Sequence, residues 1–243
     1  MDMTNSNLGT DIYNESISII NSLLADNEFF NNNYSEFEKN IIKRMIHASS
    51  DIAYSKTVSF TKNSIADSVN FIKQQSGSDK SIKIVCDSKM TRAGISSTVN
   101  KKVITETNCY IDLSSKELNE KFDNLMSIYN LQSEFCNTAD FHAITKSAYS
   151  IRIAVIENLP DFIIIGNAPT ALLETMKTCK ILFKSLGYKP KLIIGMPVGF
   201  VGADESKRIL MKDAFFSSVS NAGNLGGSAV AAAAMNAILK ESI

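Results

Sequence analysis

The chain has 243 residues, 44% hydrophobic and 21% charged, with 25 Lys plus Arg balanced by 25 Asp plus Glu. That apolar fraction excludes disorder over most of the length, and zero net charge argues against a nucleic-acid surface, which needs a basic excess for counterion release. An anionic ligand stays open, provided a local cluster of donors meets it. The longest apolar runs, such as residues 162–165 and 229–235, fall far short of the roughly 18 residues of a membrane span, so no membrane partner is expected. The first five residues, Met1-Asp2-Met3-Thr4-Asn5, are polar and do not read as a secretory signal. Cys86, Cys109, Cys136 and Cys179 form no CxxC pair, and His47 and His142 are too few to complete a zinc site with them. Free thiols in a reducing compartment, hence a cytoplasmic protein without a metal of its own, are the expectation.

In chain order, the first 80 residues read as helices. Residues 11–27 carry Ile12, Ser16, Ile19, Ile20, Leu23 and Leu24 at a spacing that makes one apolar stripe. Ser35 with Glu38 predicts a capping box opening a second helix. Residues 61–75 make a third, stopped by Ser76-Gly77-Ser78. One pattern then repeats: a short β-branched run, a loop rich in Gly, Pro, Asn or Ser, and a helical stretch. The runs are 82–86, 161–165, 191–194 and 215–219, with a further strand over 103–111. Residues 114–135 are polar and helical in pattern, an added helix or surface insertion. Apolar strands alternating with helices predict an α/β protein whose parallel sheet is covered on both faces. Ligands of such sheets bind at the carboxyl ends of the strands, where the Gly-rich loops fall.

No loop carries a nucleotide fingerprint: there is no GxxxxGK[ST], and no GxGxxG follows a strand, so no nucleotide cofactor is expected. In Gly166-Asn167-Ala168-Pro169, Pro169 suits a first helical position and leaves backbone N–H groups free at a helix start. In Leu225-Gly226-Gly227-Ser228 the glycines permit close backbone approach, and Ser228 can cap the following helix. Each is also an ordinary turn or cap; together with the loop over residues 195–202 they make three at one sheet edge, which favours a site. On the helix opened by Ser35, Ile41, Ile42, Met45 and Ile46 fall on one side. Lys43, Arg44, His47, Ser50 and Asp51 fall within roughly 100° on the other. A lone polar-face histidine is usually only solvated, so spacing alone assigns His47 little.

Taken together, the segments resemble the precorrin-8X methylmutase family over nearly the whole chain. The likeness rests on Ile12-Tyr13 with Ser16, Arg44-Met45-Ile46-His47, Cys86-Asp87-Ser88-Lys89-Met90 and Gly94-Ile95-Ser96. It continues in Thr145-Lys146-Ser147-Ala148, Gly166-Asn167-Ala168-Pro169-Thr170-Ala171-Leu172, Pro197-Val198-Gly199-Phe200-Val201-Gly202-Ala203 with Glu205-Ser206-Lys207, and Gly226-Gly227-Ser228. The resemblance implies a flavodoxin-like three-layer α/β fold with a parallel sheet and additional N-terminal helices. It implies one domain over residues 1–243, helical to about residue 80 and α/β beyond. It further implies a homodimer and a cofactor-independent isomerase of corrin-ring biosynthesis acting on a corrinoid macrocycle. The family's functional histidine falls on His47, and the hydroxyl residue after Gly-Ile falls on Ser96. Substrate contacts are expected from Ser16, Arg44, Ser96, Lys146, Asn167, Gly226, Gly227 and Ser228. Two positions depart from the family pattern: Lys146 stands where relatives carry Arg, and Asn224 stands where they carry Arg before Gly-Gly-Ser. Lysine keeps the charge without the bidentate fork, and Asn224 lacks the charge. Arg92 and Lys89 could supply the missing grip. Residues 114–135 look longer than in typical relatives.

The implied reaction moves a methyl group from C-11 to C-12 of the macrocycle. Protonating a ring nitrogen lowers the barrier to such a shift, and His47 is the natural acid, since imidazole gives and recovers a proton near neutral pH. Any cobalt arrives inside the substrate ring. The competing class is a tetrapyrrole carrier without turnover, to which the Lys146 and Asn224 departures point. A flavin or phospho-receiver protein of flavodoxin-like fold is a third reading, against which stand the missing phosphate loop and acidic pair.

Overall fold

A computed structural model describes residues 8–75, 81–95, 104–136 and 144–242. It opens with helices α1 (Leu8–Leu24), α2 (Glu28–Asn33), α3 (Glu36–Ser49) and the single turn α4 (Tyr54–Thr57). Strand β1 (Val58–Phe60) and helix α5 (Ser64–Gln75) follow, then β2 (Ile82–Cys86), α6 (Lys89–Gly94) and β3 (Thr105–Asn108). Helices α7 (Ser115–Tyr129), α8 (Gln132–Cys136) and α9 (Lys146–Asn158) lead to β4 (Phe162–Ile165) and α10 (Pro169–Leu186). The chain closes with β5 (Leu192–Gly195), α11 (Ala203–Lys212), β6 (Ser218–Asn221) and α12 (Ser228–Glu241).

Local chemistry sets these bounds. Ser35 and Ser114 each form a full capping box, with Glu38 and Glu117 respectively. Thr145 caps α9, and Pro169 opens α10. Gly187 ends α10 in a left-handed turn, its N–H reaching back to Leu182 and Phe183 carbonyls.

The six strands form one sheet in the order β1-β6-β5-β4-β2-β3. Every pairing is parallel except β1 with β6. The five parallel strands alone run 2-1-3-4-5 by their own count, the doubly wound order of the flavodoxin-like expectation. The order reverses between β2 and β4. One face buries Ile82, Ile84, Phe162, Ile164, Ile194 and Val219 under α1, α3, α5 and α12. The other buries Val85, Ile163, Ile165 and Ile193 under α7, α9 and α10. Alternate residues of β4 thus serve opposite cores, which is why the strand reads as an unbroken apolar run.

Several expectations need correction. The first helix ends at Leu24, and Asn27 caps a separate α2 through its side chain. The third predicted helix starts at Ser64 rather than Thr61, after a turn. Before that turn lies β1, an unforeseen edge strand whose antiparallel pairing with β6 makes the sheet mixed. The last strand is the polar Ser218–Asn221, not 215–219. Phe215 and Phe216 form a turn before it, where their rings meet edge-on. The stretch 114–135 holds two helices, because Asn130 adopts a left-handed conformation and closes α7. The strand expected over 103–111 is confined to Thr105–Asn108 among the described residues.

Candidate active site

His47 lies near the end of α3 and is exposed. Its Nδ1 stands 2.7 Å from Ser16 Oγ on α1, and the Tyr13 ring meets it edge-on with centroids 5.2 Å apart. One turn earlier, Arg44 donates from Nη1 to the Tyr13 hydroxyl at 2.9 Å. Tyr13 and Ser16 are three residues apart on α1, as are Arg44 and His47 on α3. The two helices therefore present matching rows of side chains.

Beside this row opens an apolar cleft of about 360 Å³, with Ser16 and His47 in its wall. The stripe on α1 divides here. Ile20 and Leu24 are buried in the core, whereas Ile12, Ile19 and Leu23 stay 57%, 55% and 64% exposed along the cleft. An open apolar surface edged by convergent polar groups suits a ligand with a flat apolar body.

A second group lies at the strand ends. Asp87, just beyond β2, accepts hydrogen bonds from the backbone N–H groups of Gly166, Asn167 and Ala168 at 2.8–2.9 Å. Burial pushes its carboxyl upward, and those three donors oppose the shift by favouring the charged form. Ser88 Oγ lies 3.0 Å from Ser228 Oγ and 2.8 Å from Thr91 Oγ1. The chain packs closely here: a Cβ on Gly166 would sit 2.7 Å from Ser228 Cα, and one on Gly226 would sit 2.4 Å from the Met196 carbonyl oxygen. Ser228 is the first residue of α12 rather than its cap. Gly227 occupies the cap position, with no side chain to bond the first turn, and the Ser228 hydroxyl turns to Ser88 instead.

Arg44, Ser16 and His47 thus come together, and so do Asn167, Gly226, Gly227 and Ser228. Among the described residues, no hydrogen bond joins the two groups. Asn40 near the start of α3 bonds Glu241 at the end of α12, and the two helices pack along each other, so they run antiparallel. His47 stands about 10 Å further along α3, roughly midway along the ~20 Å of α12, with Ser228 at the far end. Lys146 is exposed at the first turn of α9, whose cap Thr145 bonds Thr170 Oγ1 of α10 at 2.8 Å. Among the described residues, no hydrogen bond ties Lys146 itself to either group. Ser96 lies outside the described residues. Lys89 pairs with Asp112.

Three further residues stand out that spacing could not single out. Tyr13 orients Arg44 and packs on His47. Asp87 clamps the Asn167 loop. Lys207, fully buried on α11, donates from Nζ to the Leu225 carbonyl at 2.5 Å, beside Asn221 Oδ1 at 3.4 Å. Burial lowers its ammonium to about 8, with Asp204 acting against that shift. Asp204 also accepts from the Gly223 N–H at 2.7 Å, so α11 holds the loop before Gly226-Gly227 at two points. Among the described residues no group of His, Cys, Asp and Glu could hold a metal ion.

The model of the family described as Precorrin-8X methylmutase matches residues 11–121 and 114–241. The chain belongs to the precorrin-8X methylmutase family. Relatives include the cobalt-precorrin-8 methylmutase of Leptospira interrogans, 32% identical over 96% of this chain and 94% of that one. The cobalt-precorrin-8 methylmutase of Methanocaldococcus jannaschii is 34% identical over 86% of this chain and 81% of its own. A solved precorrin-8X methylmutase related protein superposes with a TM-score of 0.68 at 28% identity, covering 92% of this chain and 98% of that one. The precorrin-8x methyl mutase from Thermus thermophilus shares the fold, with a TM-score of 0.71 over 96% of both chains at 24% identity.

Proposed function

We propose that this methylmutase-family chain moves a methyl group from C-11 to C-12 of the precorrin-8 macrocycle, with His47 as proton donor. Cobyrinic acid results if the ring carries cobalt, and hydrogenobyrinic acid if it does not. The observation that carries the proton-donor role is the 2.7 Å contact between His47 Nδ1 and Ser16 Oγ at the wall of an apolar cleft. With Nδ1 engaged by the hydroxyl, Nε2 is the ring nitrogen left to serve a substrate. A proton delivered from Nε2 to the conjugated ring draws electron density from the path of migration. The methyl group then migrates between adjacent carbons, and the proton returns to the imidazole, so no net proton, electron or external nucleophile is consumed.

The apolar side chains Ile12, Ile19 and Leu23 suit the flat ring, while Arg44 and Ser16 suit its polar rim. Asn167, Gly226, Gly227 and Ser228, with Lys146 and Ser96, are proposed as further substrate contacts. The working unit is proposed to be a cytoplasmic homodimer of about twice 26.6 kDa. Support for a reducing compartment comes from Cys86 and Cys179, which are free and buried, their thiols pushed upward by burial and hence unreactive. Purified chain incubated in parallel with cobalt-precorrin-8 and metal-free precorrin-8X tests the activity. Conversion of either supports it, and tight binding without conversion of either supports the carrier reading instead.

A further inference from the structure

Tyr13 carries two cations on one ring. The Arg44 guanidinium carbon lies 5.0 Å from its centroid and Lys240 Nζ lies 5.5 Å from it. They come from different elements, α3 and α12, and meet at a residue of α1. A cleft of about 190 Å³ opens there, and Lys43 and Glu241 also line it. Among the described residues, none of Lys43, Arg44 and Lys240 is paired with a carboxylate. Glu241, the acidic group in this lining, accepts a hydrogen bond from Asn40 at 2.9 Å.

Single surface cations are ordinary, but this grouping is not a solvated stripe on one helix. Three helices converge to place like charges around one aromatic ring, in a protein of zero net charge. Like charges so placed repel, and the repulsion is relieved when an anion sits among them. Arg44 is already oriented by the Tyr13 hydroxyl, so its remaining N–H groups keep a fixed direction for a carboxylate. The same Tyr13 ring packs against His47, which ties this cleft to the proposed proton donor.

We propose that Lys43, Arg44 and Lys240 form a carboxylate-binding subsite that holds acidic side chains of the macrocycle while its conjugated ring lies at His47. This rests on the reading that the substrate is a polycarboxylated corrin docked at the α1–α3 face. The division of labour is physical: the apolar cleft accepts the ring, and the basic cleft one turn away fixes its rotation about the ring normal. Rotation matters because only one part of the ring can face His47 at a time.

The test titrates the full chain with cobyrinic acid and, separately, with its neutral methyl ester, following corrin absorbance. The parent and the double variant Lys43→Gln/Lys240→Gln are compared, with folding checked by circular dichroism. The double variant is expected to bind the acid about five- to tenfold more weakly at low salt, with little loss at high salt. Its affinity for the ester is expected to equal the parent's. Glu241→Gln is expected to bind the acid more tightly than the parent. Equal affinity of parent and double variant for the acid would overturn the subsite while leaving the activity reading intact. Equal losses for acid and ester would overturn it too, since charge would not be what is recognised. Failure of the parent itself to bind cobyrinic acid would overturn the underlying reading.

Discussion

Ser16 and His47, 31 residues apart in the chain, meet at 2.7 Å across the seam between α1 and α3. The contact assigns the serine a positioning part, because it engages one ring nitrogen and thereby fixes which way the other points. Ser16→Ala should slow single-turnover isomerisation by about five- to tenfold, the value of one lost hydrogen bond, with smaller change in macrocycle affinity. Ser16→Thr should recover much of the rate. A Ser16→Ala variant that turns over like the parent would show that the ring is held by Tyr13 packing instead.

Gly226 and Gly227 separate two effects. A Cβ at Gly226 meets backbone at 2.4 Å, with φ at +159°. A Cβ at Gly227 meets nothing within 4 Å, although φ is +122°. Gly226→Ala should therefore lower stability by about 1–3 kcal/mol through a displaced loop. Gly227→Val meets no neighbour, so its stability cost comes from backbone strain alone, and it should impair macrocycle binding more than Gly226→Ala does. Denaturation and ligand titration on both variants check the contrast, and full ligand affinity in folded Gly227→Val would remove this turn from the site.

Lys207 yields a pH prediction. Its ammonium titrates at about 8 in the folded chain against 10.5 when free, so between those values the unfolded chain binds more protons. Stability attributable to this residue therefore rises with pH from about 8 upward, the reverse of a lysine that gains a partner. Tyr34 and Tyr54, pushed up to about 12 by burial, act oppositely once the unfolded phenols ionise near 10. Comparing the parent with Lys207→Met cancels that contribution. Guanidinium denaturation at pH 7.5 and 9.5 should show a gain in the parent that the variant lacks.

Lys146 is exposed at the first turn of α9. Lys146→Ala should weaken macrocycle binding only about threefold at low salt and hardly at all at high salt, as exposed charges do. A loss of two orders of magnitude would show that the rim at α9 closes over the ligand.

The strands and caps were legible because their causes are local: β-branched runs, Ser35 with Glu38, and Pro169 at a helix start. Gly166 and Gly226 were legible as loop glycines, but not for what they clear, since Ser228 and Met196 reach them only through the fold. The apolar stripe on α1 was visible, yet periodicity cannot tell that Ile20 is buried while Ile19 stays open. Strand β1 is illegible because three residues carry too little pattern. The strand expected over 215–219 falls instead on Ser218–Asn221, because that polar segment is fully buried between β1 and β5. His47 was placed on a polar face by spacing, whereas its partners Ser16 and Tyr13 come from another helix and needed the packing of α1 on α3 to be seen.

The most direct measurement is a single-turnover rearrangement assay of His47→Ala with excess enzyme over (cobalt-)precorrin-8, alongside titration with the corrin product. The variant should bind the product within a few-fold of the parent and show no methyl migration at times when the parent has completed it. Rearrangement at a near-parental rate would contradict the assignment of His47 as proton donor.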